Sequence, residues 1–210
     1  SDQGPAQQYH TETSYARERM HGHVLDWANQ PLPYKDYPHA PSKPLPTDIR
    51  LAQASPGEMP PSNHGIEPDT PFDLRRLAVV CALTHSFTAK RRIQGQTYYY
   101  RSVASAGALY PAQLYLAADQ ISGLASGLYY YDIRTFALKQ LRSDLNTPAG
   151  PHHTPSPKRR PALATFFITG IFFRSAWKYR SRAYRYVLLD AGHLLENLRL
   201  ALIAADIVFS

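Results

Sequence analysis

The segment from Tyr184 to Asp206 constrains the fold more than any other part of the chain, because it is apolar almost all round when wound as a helix. One helical face carries Val187, Ala191, Leu194, Leu198 and Ala201, and another carries Leu188, Leu195 and Leu202. A helix that is hydrophobic on every side needs cover on every side. The segment therefore predicts a long central buried helix, covered by the rest of the chain or by a partner subunit.

The remaining patterns predict a sheet and one further helix. Residues 71–86 show helical spacing of apolar residues, and Asp73 stands where it can serve the first turn. Strand-like stretches lie at 112–118, at 127–132 and 136–141 as a hairpin-like pair, and at 162–173 as a buried strand with a bend at Gly170. The predicted fold class is α+β, with an antiparallel-leaning sheet packed on helices.

Prolines divide the chain into two regions. Residues 1–70 are rich in proline and have little regular pattern, so they predict an extended arm that Leu25 and Trp27 would anchor. Residues 71–210 hold the predicted helices and strands and form the domain. Because the chain stops soon after the long helix, we expect either a fragment that is incomplete at its C-terminus or a partner that covers the helix.

Composition argues against several function classes. The 23 lysines and arginines exceed the 16 acidic residues and give a net charge of +7, but the basic runs at 90–92 and 158–160 are short. We therefore predict no nucleic-acid interface. The single cysteine, Cys81, excludes a disulfide framework and a Cys-based zinc site. No apolar run reaches the roughly 20 residues of a membrane span, so a cytoplasmic protein without metal or membrane contact is expected.

The stretch RSVASAGALYP, residues 101–111, is poor in bulky side chains and lies between two strand-like segments. Small residues would let a planar ligand lie against the main chain, whose N–H groups could bond to it. Arg101 precedes the small residues and could reach an anionic group. A tight turn entering a strand explains the same composition, so both interpretations remain open here.

Four stretches in order resemble one protein family. RSVASAGALYPAQLYL is similar to the ring-binding segment of nitroreductase-like flavoproteins, and more narrowly to their SagB-type dehydrogenase branch, whose best-understood members oxidise azolines to azoles in peptide natural products. GLYYYDIRTFALKQL, FFRSAWKYRSRAYRYVLLDAGHLLENLRLALIAADI and the arm segments YHTETSYARERM and LDWANQP resemble the same branch. The resemblance implies a nitroreductase-like fold, FMN bound at the interface of a homodimer or tandem pseudo-dimer, and hydride transfer between substrate and flavin N5.

The resemblance also implies roles for individual residues. Those that would line the flavin are Arg101, Ser105, Ala106, Gly107 and Leu109, with Asn197 of the long helix as a further cofactor-binding residue. Pro111 would fix the exit into the next strand, and Asp190 would support the cofactor site. Ordinary nitroreductases usually carry asparagine where Ala108 stands, which favours the SagB-type branch.

Lys178 and Tyr179 are the catalytic candidates, because the resemblance places the proton-accepting pair of the azoline oxidases at this position. A lysine among aromatic residues is partly desolvated, which weakens its preference for the charged form and suits it to act as a base. The substrate would be a small molecule or a modified peptide. Alternatively, the KYRSR run is a solvated surface segment.

Two other functions remain open at this point. One is an NAD(P)H-dependent nitro or quinone reductase, and the other is a non-catalytic flavoprotein-like module that binds a peptide or a partner subunit. For the flavin phosphate, the family's arginine-rich turn is represented only by Arg50, and the pairs Arg75–Arg76 and Arg91–Arg92 are the possible substitutes.

Overall fold

The computed structural model describes residues 4–19, 22–49, 71–93, 95–144 and 162–209. Its helices, in chain order, are α1 (Pro5–Thr13), α2 (Leu74–Thr84), α3 (Phe172–Tyr179) and α4 (Ala183–Ala204). Its strands are β1 (Ser42–Pro44), β2 (Phe87–Ile93), β3 (Gln96–Arg101), β4 (Ala112–Ala118), β5 (Gly127–Asp132), β6 (Ala137–Arg142) and β7 (Ala164–Gly170). The described part therefore confirms the α+β class.

Five strands form the main sheet in the order β1-β6-β5-β4-β7, and every neighbouring pair is antiparallel. The core lies between this sheet and the helices α2 and α4. Its buried members include Leu77, Val80, Leu114, Leu116, Leu138, Leu198 and Leu202. Because side chains alternate across a strand, Tyr115 of β4 points to the opposite face, where its hydroxyl lies 3.0 Å from that of Tyr37.

The predicted helix at 71–86 is α2, and its start follows the expected capping chemistry. The Asp73 carboxylate accepts a hydrogen bond from the Arg76 backbone N–H at 2.8 Å, which satisfies one of the unpaired donors of the first turn. The helix packs on α4 and places Cys81, only 1% exposed, within the core. Propensity, capping and apolar spacing agree along this segment.

The predicted buried strand at 162–173 is shorter and less buried than expected. It is β7, the edge strand of the sheet, and its Phe167 is 45% exposed. Instead of bending at Gly170, the strand ends there, and a Cβ built on Gly170 would stand 2.6 Å from Cγ1 of Val187 in α4. The chain then turns at Ile171 into α3 instead of continuing as a strand.

Helix α4 confirms the long helix predicted at 184–206, but the described part of the chain buries only one of its faces. The buried residues of that face are Val187, Asp190, Leu194, Leu198, Ala201 and Leu202. On the other side Leu188, Leu189 and Leu195 are 53–60% exposed. No described helix is long and apolar enough to span a membrane.

The N-terminal arm runs across the body instead of standing apart from it. Helix α1 packs against the start of α4, where the rings of Tyr9 and Tyr184 meet edge to face. Trp27 packs on Trp177 of α3, which agrees with its predicted role as an anchor. Further along, the arm supplies strand β1 to the edge of the main sheet, so arm and body share one sheet.

Candidate functional site

The small-residue stretch forms an exposed bend between β3 and β4. Gly107, Ala108 and Tyr110 all have positive φ, at 65°, 56° and 47°. This conformation costs an L-residue free energy, whereas glycine adopts it freely. Gly107 and Ala108 are exposed, so the main chain here lies at the surface of this chain.

A buried carboxylate of α4 holds the bend in place. Asp190 accepts a hydrogen bond from the Ser105 hydroxyl at 2.5 Å and another from the Ala106 backbone N–H at 3.2 Å. The Ser105 oxygen in turn accepts from the Tyr110 backbone N–H at 2.8 Å. Bonds to a charged acceptor are among the stronger ones in proteins, so Asp190 fixes both ends of the bend to α4.

The structure brings the predicted catalytic pair directly against the predicted ring-binding bend. A Cβ built on Gly107 would stand 2.5 Å from the Tyr179 hydroxyl oxygen and 3.0 Å from Nζ of Lys178. Both side chains are half-buried at the C-terminal end of α3. The absence of a side chain at Gly107 thus makes room for these two groups.

Tyrosines surround the pair on the side of the arm. The rings of Tyr179 and Tyr186 lie 4.5 Å apart, and the Tyr186 hydroxyl lies 2.7 Å from that of Tyr15. Burial, with the neighbouring Tyr186, Tyr15 and Asp190, raises the pKa of the Tyr179 phenol. Burial alone would also raise the pKa of Tyr186, but its hydrogen bonds with Tyr15 and Arg182 lower it below its ordinary value.

Arg101 lies on the inner side of the bend and contacts protein groups. Its guanidinium stands 4.0 Å from the ring centroid of Tyr110, 3.2 Å from Nε2 of His85 and 3.4 Å from the Pro33 carbonyl oxygen. Burial lowers the pKa of Arg101. These contacts support the bend from below, and direct contact of Arg101 with a cofactor stays a prediction.

Asn197 of α4 links two other elements by hydrogen bonds. Its amide nitrogen donates to the carbonyl oxygens of Thr84 at 3.3 Å and Ser102 at 3.2 Å, which ties the end of α2 to the end of β3. Its contact with a cofactor likewise stays a prediction. Pro111 is fully buried, and its carbonyl accepts from the Ile171 backbone N–H at 2.9 Å, so the exit of the bend is tied to the start of α3.

Arg174 is a site-supporting residue that the sequence patterns did not indicate. It is 3% exposed and donates to the carbonyl oxygens of Tyr110 and Leu32, each at 2.9 Å. The first contact fixes the C-terminal side of the bend, and the second fixes the arm. A lone arginine within the apolar segment IFFRSAW is the signal that points to such a buried, carbonyl-bonded cation.

The donor set fits a planar ligand with ring oxygen and nitrogen atoms, as a flavin has. Gly107 and Ala108 leave an exposed main chain, and Nζ of Lys178 and the Tyr179 hydroxyl lie beside it. Leu109, half-buried, adds apolar surface at the bend.

The arginines predicted as candidates for a flavin-phosphate contact differ in their surroundings. Arg75 forms an ion pair with Asp48 at 2.9 Å, and Arg76 donates to the Ala205 carbonyl. Arg91 and Arg92 are exposed on β2. Arg50 and the basic run at 158–160 lie outside the described residues.

Comparisons with known proteins agree with this geometry. No protein-family model matches the chain. It is 29% identical over 103 residues to the trifolitoxin-processing protein TfxB of Rhizobium leguminosarum bv. trifolii, covering 46% of this chain and 28% of that protein. It is 24% identical over 135 residues to a "putative nitroreductase" of Methanocaldococcus jannaschii, covering 62% of this chain and 63% of that protein.

A solved structure supports the fold. The crystal structure of a "putative nitroreductase" from Anabaena variabilis ATCC 29413 superposes with a TM-score of 0.66 at 30% identity, and the match covers 93% of this chain but 38% of that one. The chain thus spans less than two thirds of the length of each of these three proteins. The fold is that of the nitroreductase-like group.

Proposed function

Because this chain is a nitroreductase-like protein similar to the SagB-type branch, we propose that it is a flavin-dependent oxidoreductase whose FMN ring lies against residues 105–109. The position of Lys178 and Tyr179 against Gly107 carries the proposal. Two groups able to move or hold a proton stand beside an exposed, side-chain-free main chain. Oxidation of a substrate by hydride removal needs both features, because a proton must leave the neighbouring atom.

The residues of the chain would divide the work as follows. Bound FMN would supply the hydride acceptor. The bend from Ser105 to Leu109 would hold the ring, with Asp190 fixing the bend. Because burial raises its pKa, the Tyr179 phenol stays protonated near neutral pH and donates a hydrogen bond to the substrate. Lys178 would then take the proton.

We also propose that a second nitroreductase-like half, in a homodimer or a tandem chain, covers the outer face of α4. The exposed leucines at 188, 189 and 195 follow an exposed aromatic contact at the start of α4, where Phe172 of α3, 47% exposed, stacks on Tyr184, 52% exposed. Contiguous apolar patches of this kind mark interaction surfaces. The flavin site would then be completed at that interface.

The substrate class follows from the resemblance to azoline-oxidising proteins. A modified peptide is the leading candidate, and the similarity to a trifolitoxin-processing protein is consistent with a role in processing a natural product. A small molecule with an oxidisable ring would meet the same chemical requirements at Lys178 and Tyr179.

The proposal is tested by flavin content and by two single variants. Purified protein should show visible flavin absorbance, or acquire it with added FMN. Lys178→Met and Tyr179→Phe should keep that absorbance but lose about a hundredfold or more in azoline oxidation, the usual size of a general acid–base contribution. Lys43→Met, at an exposed position of β1, is the matched control. Colourless protein that takes up no FMN would contradict the proposal.

A second candidate, an NAD(P)H-dependent nitro or quinone reductase, is favoured by the nitroreductase names of two relatives. Reduction of a nitroaromatic needs no proton abstraction from a substrate carbon. Turnover with NAD(P)H and a nitroaromatic that is insensitive to Lys178→Met would therefore select this function over azoline oxidation.

A further inference from the structure

Apart from Arg101 at its base, the hairpin of β2 and β3 lies outside the site described above and is exposed to solvent. Its two strands contact each other far more than they contact any other element. Only the base is packed, where the Phe87 ring lies 6.2 Å from that of Tyr34. From Thr88 to Ile93 and from Gln96 to Tyr100 every side chain is exposed. Such a hairpin adds nothing to the core, so its sequence is free to serve another purpose.

The hairpin is strongly cationic and aromatic. Residues 87–101 include Lys90, Arg91 and Arg92 in succession and contain no aspartate or glutamate. Across the ladder, Lys90 faces Tyr99 and Arg91 faces Tyr98. Within the described part of the chain, none of the three successive cations takes part in an ion pair.

Five acidic groups of the described part of the chain are engaged in ion pairs elsewhere. The carboxylates of Asp36, Asp48, Asp132, Asp144 and Glu196 each pair with an arginine of the body. A second copy of this chain, at a net charge of +7, therefore offers the hairpin little complementary charge. The charge favours an anionic partner of a different kind.

The geometry of the hairpin favours a peptide over a nucleic acid. Among the described residues the small sheet has two strands only, so the outer edge of β2 presents main-chain groups without a strand partner. An extended peptide can add to such an edge as a further strand. Side chains alternate across β2, so Lys90 and Arg92 lie on one face and Arg91 on the other. Successive acidic residues of an added strand would meet the cations on both faces.

We propose that the hairpin docks an acidic peptide segment in extended conformation, as a third strand along β2. This inference extends the peptide-substrate part of the proposed function, because it gives the chain a means of holding a peptide away from Lys178. It does not depend on flavin chemistry. Failure of peptide docking and absence of flavin are separate observations on the same preparation.

Fluorescence anisotropy with a labelled ten-residue peptide tests the proposal. The probe carries a Glu-Asp-Glu centre flanked by threonine and valine. The triple variant Lys90→Gln, Arg91→Gln, Arg92→Gln should bind it at least about tenfold more weakly, since three charge contacts of roughly half a kcal/mol each sum to that factor. The control triple variant Arg17→Gln, Lys43→Gln, Arg142→Gln removes the same net charge at exposed positions and should change binding less than about twofold.

A second probe tests strand addition itself. The same peptide with alternate backbone amides N-methylated keeps its charge but loses half of its main-chain donors, and it should bind markedly more weakly. Equal binding of the two peptides would overturn the proposal in favour of simple charge attraction. So would tighter binding of a ten-nucleotide RNA, or sedimentation showing that the hairpin triple variant has lost self-association.

Discussion

At the scale of single residues, Gly107 connects two parts of the site that are distant in sequence. The side-chain-poor bend and the Lys178–Tyr179 pair are predicted from separate stretches, and the structure places them in contact. Asp190 then holds the bend from the buried side. The lack of a side chain at this one glycine therefore determines whether the predicted ring-binding bend and the predicted catalytic pair can be in contact.

Replacing Gly107 by alanine should damage the site more than the fold. The added Cβ would displace the Tyr179 hydroxyl and Nζ of Lys178, which are the flexible ends of long side chains. The left-handed backbone would cost a further ~1–2 kcal/mol. We expect urea denaturation to report a loss of about that size, while FMN titration reports a loss of affinity of about tenfold or more.

The matched control for this variant is Gly22→Ala. A Cβ at Gly22 meets nothing within 4 Å, and its φ is not positive. Unchanged FMN affinity in Gly107→Ala, with the same loss of stability, would show that the bend does not contact the flavin.

The sequence indicated residues that the structure brings together at Gly107, but it did not indicate most of the side chains that support them. Lys178, Tyr179 and the bend were indicated because their types and order resemble a known pattern. The roles of Arg174 and Asn197 as donors to the carbonyls of Tyr110, Leu32, Thr84 and Ser102 depend on which loops pass nearby. Such contacts leave no spacing signal, since their acceptors are backbone atoms that every residue possesses.

At the scale of elements, predictions succeeded where burial is periodic. Helices α2 and α4, the strand β4 and the pair β5–β6 follow apolar spacing or alternation and were predicted with nearly correct bounds. For the hairpin β2–β3, only a strand-like stretch before residue 101 was indicated; the pairing with β2 was not predicted, because exposure along both strands removes the alternation on which a strand prediction depends.

The course of the arm could not be predicted from its own sequence. Its backbone is satisfied by side chains of the body: Trp177 donates to the Asp26 carbonyl, Arg174 to that of Leu32 and Arg182 to that of Thr13. An irregular segment of this kind is ordered by tertiary hydrogen bonds. Local propensity has little influence on it.

The exposed face of α4 provides a prediction at this scale. Leu188→Glu combined with Leu195→Glu places two charges where the side chains are 53% and 58% exposed, so the fold of the chain should tolerate them. If a second half covers this face, sedimentation should show the assembly dissociating to the single chain, because burying unpaired charges costs several kcal/mol. Val24→Glu, at 92% exposure, is the control. An unchanged sedimentation coefficient in the double variant would contradict the proposed interface.

At the scale of the whole molecule, the partly buried Arg101 and the buried Arg174 have no carboxylate partner among the described residues. His85 is buried beside Arg101, and Arg174 adds positive potential nearby. Burial, then the charges of Arg101 and Arg174, lowers the pKa of His85 to about 3. The folded protein therefore keeps His85 neutral through the whole range in which an unfolded chain would protonate it.

This arrangement predicts acid sensitivity of the fold. The pKa of His85 in the folded protein is below the unfolded value of 6.5. The free energy of unfolding is therefore unaffected by protonation of His85 above pH 6.5, and it decreases as the pH falls towards 3, because only the unfolded chain takes up the proton. We expect the free energy of unfolding of the wild type to fall by up to about 1.4 kcal/mol per pH unit more than that of His85→Gln, which keeps an acceptor but does not titrate.

Urea denaturation from pH 7 to pH 4 measures this difference. His39→Gln, at an exposed position, should follow the wild type across the range. Parallel curves for the wild type and His85→Gln would show that His85 is protonated in the folded protein.

The burial of Cys81 makes its thiol a probe of local opening in the core. It is the one cysteine of the chain. Burial beneath the sheet raises the pKa of its thiol to about 12, so little of the reactive thiolate forms at neutral pH. Burial also keeps solvent and reagents away from the sulfur. A maleimide can modify it only in the moments when α2 separates from the strands above it. The modification is irreversible, so the rate of mass increase in a mass spectrometer reports how often this part of the native core opens. No engineered label is needed.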